Sequence, residues 1–168
     1  MNNRRSFIVG IKSTKLSKLE KKFLKIYKPW GVILFTRNIR NIKQTSKLTR
    51  SIRKIFKDKK YPILIDQEGG RVNRLKNIIS FDTFTSEFFG STFIKDYKEF
   101  KFNYKLFIDK TSYLLKLIGV NINTSPVLDL RLKGKSNVIG NRSFSRDPKI
   151  VSKIGDHCIQ YLHENGIG

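Results

Sequence analysis

The sequence predicts an α/β fold built on a parallel sheet, and three observations carry that reading. Short apolar runs alternate with longer segments of helical periodicity four times along the chain. The runs are apolar at consecutive positions, as strands covered on both faces are. Polar residues gather where each run ends, whereas the helix-to-strand connections are short and plain. Strands that alternate with helices in this way form parallel sheets.

The elements follow in order. Phe7–Ile11 is the first apolar run, and Ser17 opens a helix to Tyr27 with Glu20 three residues on, the spacing of a capping box. Pro29 ends that helix, and Gly31–Phe35 (GVILF) reads as a buried strand. A second helix covers Ile42–Lys57, and Pro62–Asp66 (PILID) is the third strand, with proline at the start where its missing N–H is tolerated. Residues 67–99 form a long irregular passage rich in Phe, Ser and Thr, with short helical pieces. A helix from Phe100 to Ile118 leads to a fourth strand, Val120–Val127. A polar loop from Leu128 to Arg146 precedes the last helix, Pro148–Glu164, with Asp147-Pro148 at its N-terminus and Asn165-Gly166 after its end. Periodicity leaves two architectures open, an eight-fold β/α barrel and an open doubly wound sheet, since both put their sites at the C-terminal ends of strands.

Composition excludes several classes. A chain of 168 residues, 39% hydrophobic and 29% charged, is read as one globular domain, residues 1–168, rather than as a disordered segment. One cysteine, Cys158, precludes an internal disulfide and fits a reducing compartment. No apolar run approaches the ~18 residues of a membrane span, and FIVGI is too short for a signal-peptide core, so a cytoplasmic protein without membrane contact is expected. The formal charge of +22 accompanies 24 lysines, 21 isoleucines and no alanine, the signature of AT-rich codons. Arg40–Lys60 carries nine basic residues and one acid, but Leu48, Ile52 and Ile55 at helical spacing make them the solvated face of an amphipathic helix rather than a nucleic-acid surface.

The chemistry concentrates in Asp66-Gln67-Glu68-Gly69-Gly70-Arg71-Val72-Asn73-Arg74. A strand that delivers Asp66 to its end places an acceptor-only group in a cleft, suited to gripping hydroxyls. The glycines allow positive φ or close approach of a ligand. Arg71 and Arg74 either hold that ligand or neutralise the acids in an internal salt-bridge cluster. Asp66 and Glu68 share one turn and do not flank a substrate as a glycosidase pair does. Arg142, in Gly140-Asn141-Arg142-Ser143-Phe144, offers a rigid fork for a sugar or carboxylate, or organises its loop by pairing with Asp129 or Asp147. His157 and His163 lack metal spacing, Cys158 reads as core, and no metal cluster or Ser/His/Asp arrangement is present in the sequence.

Taken in order, GVILFTRN, ILIDQEGGRVNRL, GVNINTSPVLDL and IGNRSFSRDP closely resemble glycoside hydrolase family 3, and within it the bacterial β-N-acetylhexosaminidases, over residues 5–168. The resemblance implies the first four β/α units of a TIM (β/α)₈ barrel, a truncated half-barrel. It implies a retaining, cofactor-free hydrolase of terminal N-acetylglucosamine on murein fragments. Asp66, Arg74 and Arg142 match the family's substrate-binding positions, and Asp129 a supporting one. The family's Lys-His-Phe-Pro-Gly-His-Gly motif, its His–Asp acid/base dyad and its nucleophilic Asp are expected beyond Gly168. No catalytic residue is therefore expected within residues 1–168, and the chain as it stands is expected to be inactive. The alternative is a half-barrel that binds sugar, or assembles edge to edge with a second copy, without catalysis.

Overall fold

The computed structural model describes residues 4–131 and 138–168; part of the predicted polar loop, residues 132–137, lies outside the described residues. The chain divides into two compact units. One comprises residues 1–66, 74–79 and 114–124, the other residues 67–73, 80–113 and 125–168.

The first unit holds the whole sheet. Its strands are β1 (Arg5–Gly10), β2 (Pro29–Leu34), β3 (Ile63–Ile65) and β4 (Ile122–Asn123), in the order β1-β2-β3-β4. Every neighbouring pair is parallel, with Val32 opposite Ile63 and Leu64 opposite Ile122. Two helices connect these strands, α1 (Lys18–Tyr27) and α2 (Ile42–Phe56). Ser17 caps α1 by accepting from the Glu20 N–H at 3.1 Å, while Glu20 accepts from the Ser17 N–H at 2.8 Å. Two groups that a helix start leaves without intrahelical partners are thereby satisfied. Asn41 caps α2 by accepting from the Gln44 N–H at 2.8 Å. The core of the unit includes Leu24, Val32, Leu34, Ile52, Ile63, Ile65 and Leu115, all essentially solvent-free.

The second unit is helical, with α3 (Ser86–Lys95), most of α4 (Tyr97–Ile118) and α5 (Pro148–Glu164). Its interior is aromatic: Phe89 lies 4.6 Å from Tyr104 and 5.1 Å from Phe107, ring to ring. Asp147 caps α5 by accepting from the Lys149 N–H at 2.8 Å.

All four strands differ in their bounds from the sequence reading: β1 runs Arg5–Gly10 rather than Phe7–Ile11, and β3 runs Ile63–Ile65 rather than Pro62–Asp66. Strand β2 begins at Pro29 rather than Gly31, because a proline is tolerated as the first residue of a strand. The expected fourth strand, Val120–Val127, contracts to Ile122–Asn123. Thr124 still donates its N–H to the Ile65 carbonyl at 2.8 Å, but Ser125 turns its hydroxyl to the Gln67 carbonyl, and Pro126 has no N–H to continue a ladder. No helix among the described residues is long and apolar enough to cross a membrane.

Candidate functional site

Strand β3 is buried at all three positions and releases the chain at Asp66, the first residue with partial access to solvent. The aspartate accepts two hydrogen bonds from Arg74, Nε to Oδ1 at 2.7 Å and Nη2 to Oδ2 at 2.5 Å. This parallel fork is the strong geometry for a guanidinium on a carboxylate. The Arg74 guanidinium also lies 5.4 Å from the centroid of Phe35, the residue after β2, so its flat face rests on a ring while its edge holds the acid. About a quarter of each side chain remains exposed, 27% for Arg74 and 25% for Asp66.

Residues 68–72 fold into a tight turn. Glu68 donates its N–H to the Val72 carbonyl, Val72 donates back to Gly69, and Gly70 donates to the Phe81 carbonyl at 2.9 Å. Gly69 has φ +94, and a Cβ there would stand 2.2 Å from the Phe84 carbonyl oxygen. Only glycine satisfies both constraints, which gives the sequence pair Gly69-Gly70 a local structural cause. The turn presents Glu68, whose side chain is only 7% exposed, to Arg142. Arg142 donates from Nε to Oε2 at 2.8 Å and from Nη2 to Oε1 at 2.7 Å, a second forked pair. Arg71 donates to the carbonyls of Val138 and Ile139, the latter at 2.9 Å, so it fastens this turn to the segment that carries Arg142.

The structure thus brings Asp66 together with Arg74 and bonds Arg142 to Glu68, rather than to Asp129 or Asp147 as its position in sequence suggested. Glu68 and Phe35 were not singled out as partners in the sequence. Glu68 stands in a conspicuous motif, but its partner is 74 residues away; for Phe35 the only signal is an aromatic residue at a strand end.

Elsewhere in the helical unit, the Tyr97 hydroxyl and His157 Nε2 are 3.0 Å apart. Burial, and then the charge of Lys101, hold His157 below its ordinary pKa. Burial pushes the Cys158 thiol up to about 11, so it is a core residue rather than a nucleophile. Among the described residues no group of three or more His, Cys, Asp or Glu side chains is placed to hold a metal ion.

Comparison with known proteins supplies the lineage. The profile of the glycosyl hydrolase family 3 N-terminal domain matches residues 7–168. The chain belongs to glycosyl hydrolase family 3. Its family 3 relatives include the β-hexosaminidase of Hydrogenovibrio crunogenus, 35% identical over 164 residues that cover 95% of this chain and 44% of that one. The β-hexosaminidase of Bordetella pertussis is likewise 35% identical, over 92% of this chain and 44% of its own. Among solved family 3 structures, NagZ from Neisseria gonorrhoeae in complex with zinc ion superposes with a TM-score of 0.85 at 29% identity, over 97% of this chain and 48% of that one. The same enzyme in complex with N-trifluoroacetyl-D-glucosamine gives 0.84. The chain therefore spans about half the length of the relatives it matches. Its four parallel strands and their helices are the first half of a (β/α)₈ barrel.

Proposed function

We propose that this chain supplies the sugar-gripping part of a retaining β-N-acetylhexosaminidase that removes terminal N-acetylglucosamine from peptidoglycan fragments in the cytoplasm. Asp66, Arg74 and Arg142 are its substrate-binding residues. Family 3 membership, the β-hexosaminidase relatives and the likeness to a NagZ crystallised with a glucosamine derivative support this reading.

One observation carries it most directly: Arg74 fixes Asp66 with both ends of its fork at the mouth of β3 and leaves part of both groups in solvent. A carboxylate held this way is an oriented acceptor for vicinal hydroxyls, and it needs no rearrangement to receive them. Arg142, fixed in the same way by Glu68 and with a quarter of its side chain in solvent, suits an acetamido carbonyl or a carboxylate.

Residues 1–168 contribute binding and no general acid or nucleophile. Chemistry of this kind depends on such groups, so the chain alone should bind without turning over. The test is titration with N-acetylglucosamine followed by NMR or calorimetry, alongside a chromogenic β-N-acetylglucosaminide assay. Saturable binding that is lost in Arg74→Ala and in Arg142→Ala, with no hydrolysis, is the expected result. Binding that survives both substitutions in folded protein removes these residues from the site. Turnover by the 168-residue chain refutes the division of labour.

A further inference from the structure

Helix α2 buries the residues its periodicity selects, with Leu48 and Ile52 essentially out of solvent. What it leaves outside is of one sign. Its exposed residues are Lys43, Lys47, Arg50 and Lys54, and its exposed C-cap is Lys57. Steps of four, three, four and three residues hold all five within about 80° of the circumference, along about 21 Å of the axis. No acid lies on α2, and the ion pairs among the described residues involve none of the five. Asp58, just past the helix, is bonded to Arg4 instead.

Like charges three and four residues apart repel along a helix, so this stripe weakens the helix that carries it. AT-rich codons do not account for it, because they act on the whole gene. Residues 12–60 hold 17 basic residues and two acids, +15 of the total +22, whereas the rest of the chain holds 18 basic residues and 11 acids. Helix α4 carries five lysines but also Glu99 and Asp109, and Lys105 pairs with Asp109 at 3.1 Å. The solvated face expected from the sequence describes α4 better than α2.

We propose that the outer face of α2 binds the phosphate backbone of double-stranded nucleic acid, without regard to base sequence. A duplex carries one negative charge per about 1.7 Å of its axis, so a straight cationic stripe meets phosphates along its whole length. The same helix argues against the other occupants of a basic face. None of its exposed residues is aromatic, so nothing stacks an unpaired base. Gln44, whose amide could read a base edge, is turned to the Thr14 and Asn38 carbonyls at 2.8 and 3.1 Å. None of its exposed residues is apolar, so the second anchor of a stable membrane contact is missing from this face. Strands β2 and β3, which α2 joins, are both interior to the sheet, so α2 belongs to neither open edge. The inference is independent of the sugar reading.

The experiment is fluorescence anisotropy of a labelled duplex of arbitrary sequence, titrated with the 168-residue chain at several KCl concentrations. Log Kobs against log[KCl] is expected to fall with a slope of about −3 to −4.5, as for three to five neutralised phosphates, and equally for duplexes of unrelated sequence. Lys47→Gln/Lys54→Gln should make the slope shallower by about two. Lys98→Gln/Lys110→Gln removes the same charge from exposed positions on α4 and should leave the slope unchanged. Both variants change exposed side chains, and unchanged circular dichroism verifies their fold. Equal losses in the two variants assign the binding to net charge and overturn the inference, as does the absence of binding at about 50 mM KCl, where such contacts are strong. Tighter binding of the single strand overturns it in favour of an unpaired strand. Phosphatidylglycerol vesicles that displace the labelled duplex at a lower phosphate concentration than unlabelled duplex does overturn it in favour of a membrane surface.

Discussion

Arg74 holds both carboxylate oxygens of Asp66, at 2.7 and 2.5 Å, while its guanidinium sits 5.4 Å from the Phe35 ring centre. A lysine at this position keeps the charge but loses the fork, because a single ammonium cannot meet two oxygens in one plane and stack on a ring. Arg74→Lys is therefore expected to weaken N-acetylglucosamine binding by roughly tenfold, with a stability loss of about 1 kcal/mol, since one charge-assisted bond is lost and one kept. Arg74→Ala should cost about 1.5–3 kcal/mol. Calorimetric titration and urea unfolding of the three proteins check both parts. Equal binding by Arg74→Lys and the parent would show that the fork does not organise the ligand.

The Glu68–Arg142 pair differs because the glutamate is nearly out of solvent. Removing Arg142 leaves a buried carboxylate without its counter-charge, a change that costs about 3–5 kcal/mol in comparable settings. Arg142→Met alone is expected to lose that much, while Glu68→Gln/Arg142→Met should recover more than half of it. A double-mutant cycle by chemical denaturation measures the coupling. A cycle that closes to within a few tenths of a kcal/mol would mean the two side chains do not depend on each other.

How much of this was legible in the sequence depends on the distance over which each interaction acts. The α1 start was readable because Ser17 and Glu20 satisfy each other three residues apart. The α5 start was readable for the same local reason, through Asp147 and Pro148. Asp66 and Arg74 are eight residues apart in one motif, and that proximity in sequence left both a ligand grip and a salt bridge open; the structure contains the salt bridge. Glu68 as the partner of Arg142 was out of reach, because nothing local encodes a bond across 74 residues. The fourth strand was read too long because Val120, Ile122 and Val127 suggest an apolar strand, whereas strand length is set by the neighbour it pairs with, and β3 offers only Leu64 and Ile65 as partners. Helix α3 is one of the short helical pieces expected in the irregular passage, but its bounds were not read. Its Thr85 cap, which accepts from the Phe88 N–H at 3.0 Å, was a usable signal, but Gly90 within the helix weakened the pattern.

Gly69 gives a prediction that separates backbone from side-chain effects. Its φ of +94 disfavours any L side chain, and a Cβ would meet the Phe84 carbonyl at 2.2 Å. Gly69→Ala should therefore destabilise by about 2–4 kcal/mol, combining left-handed strain with an overpacked contact. Thermal unfolding is the measurement. A loss below about 0.5 kcal/mol, typical of a neutral surface change, would contradict the turn geometry.

His157 sets a pH dependence whose sign can be worked out. Burial first, and Lys101 second, hold its folded pKa below the unfolded value of about 6.5, while Asp156 opposes the shift. Between the two values the unfolded chain binds more protons, so stability rises with pH there. The His157 contribution is complete above about pH 6.5, begins to fall as pH drops below it, and is fully lost once pH passes below the folded value. Protonation also removes the Nε2 lone pair that can accept from the Tyr97 hydroxyl at 3.0 Å, leaving only the reverse donation. Melting temperatures from pH 7.5 to 5.5 should fall for the parent chain and fall less for His157→Gln. Parallel curves for the two proteins would assign the acid sensitivity to other groups.

The lone cysteine reports on the same helical unit by its reactivity. Cys158 is buried on α5 and its thiol is pushed up to about 11 by burial, so the thiolate fraction at pH 8 is small and access is closed. A maleimide added at pH 8 should label the folded chain at a rate set by opening of α5, and label the urea-unfolded chain at the rate of a free thiol near its ordinary pKa. The hydroxyl of Tyr104 bonds this thiol, and its own pKa is raised well above normal by burial, so alkaline conditions up to about pH 9 should change folded-state labelling little beyond the ordinary thiolate dependence. Tyr104→Phe keeps the ring packing on Phe89 and Phe100 and should leave the rate within a few-fold. Fast labelling of the folded parent chain, comparable to the unfolded rate, would show that α5 does not seal the core around Cys158.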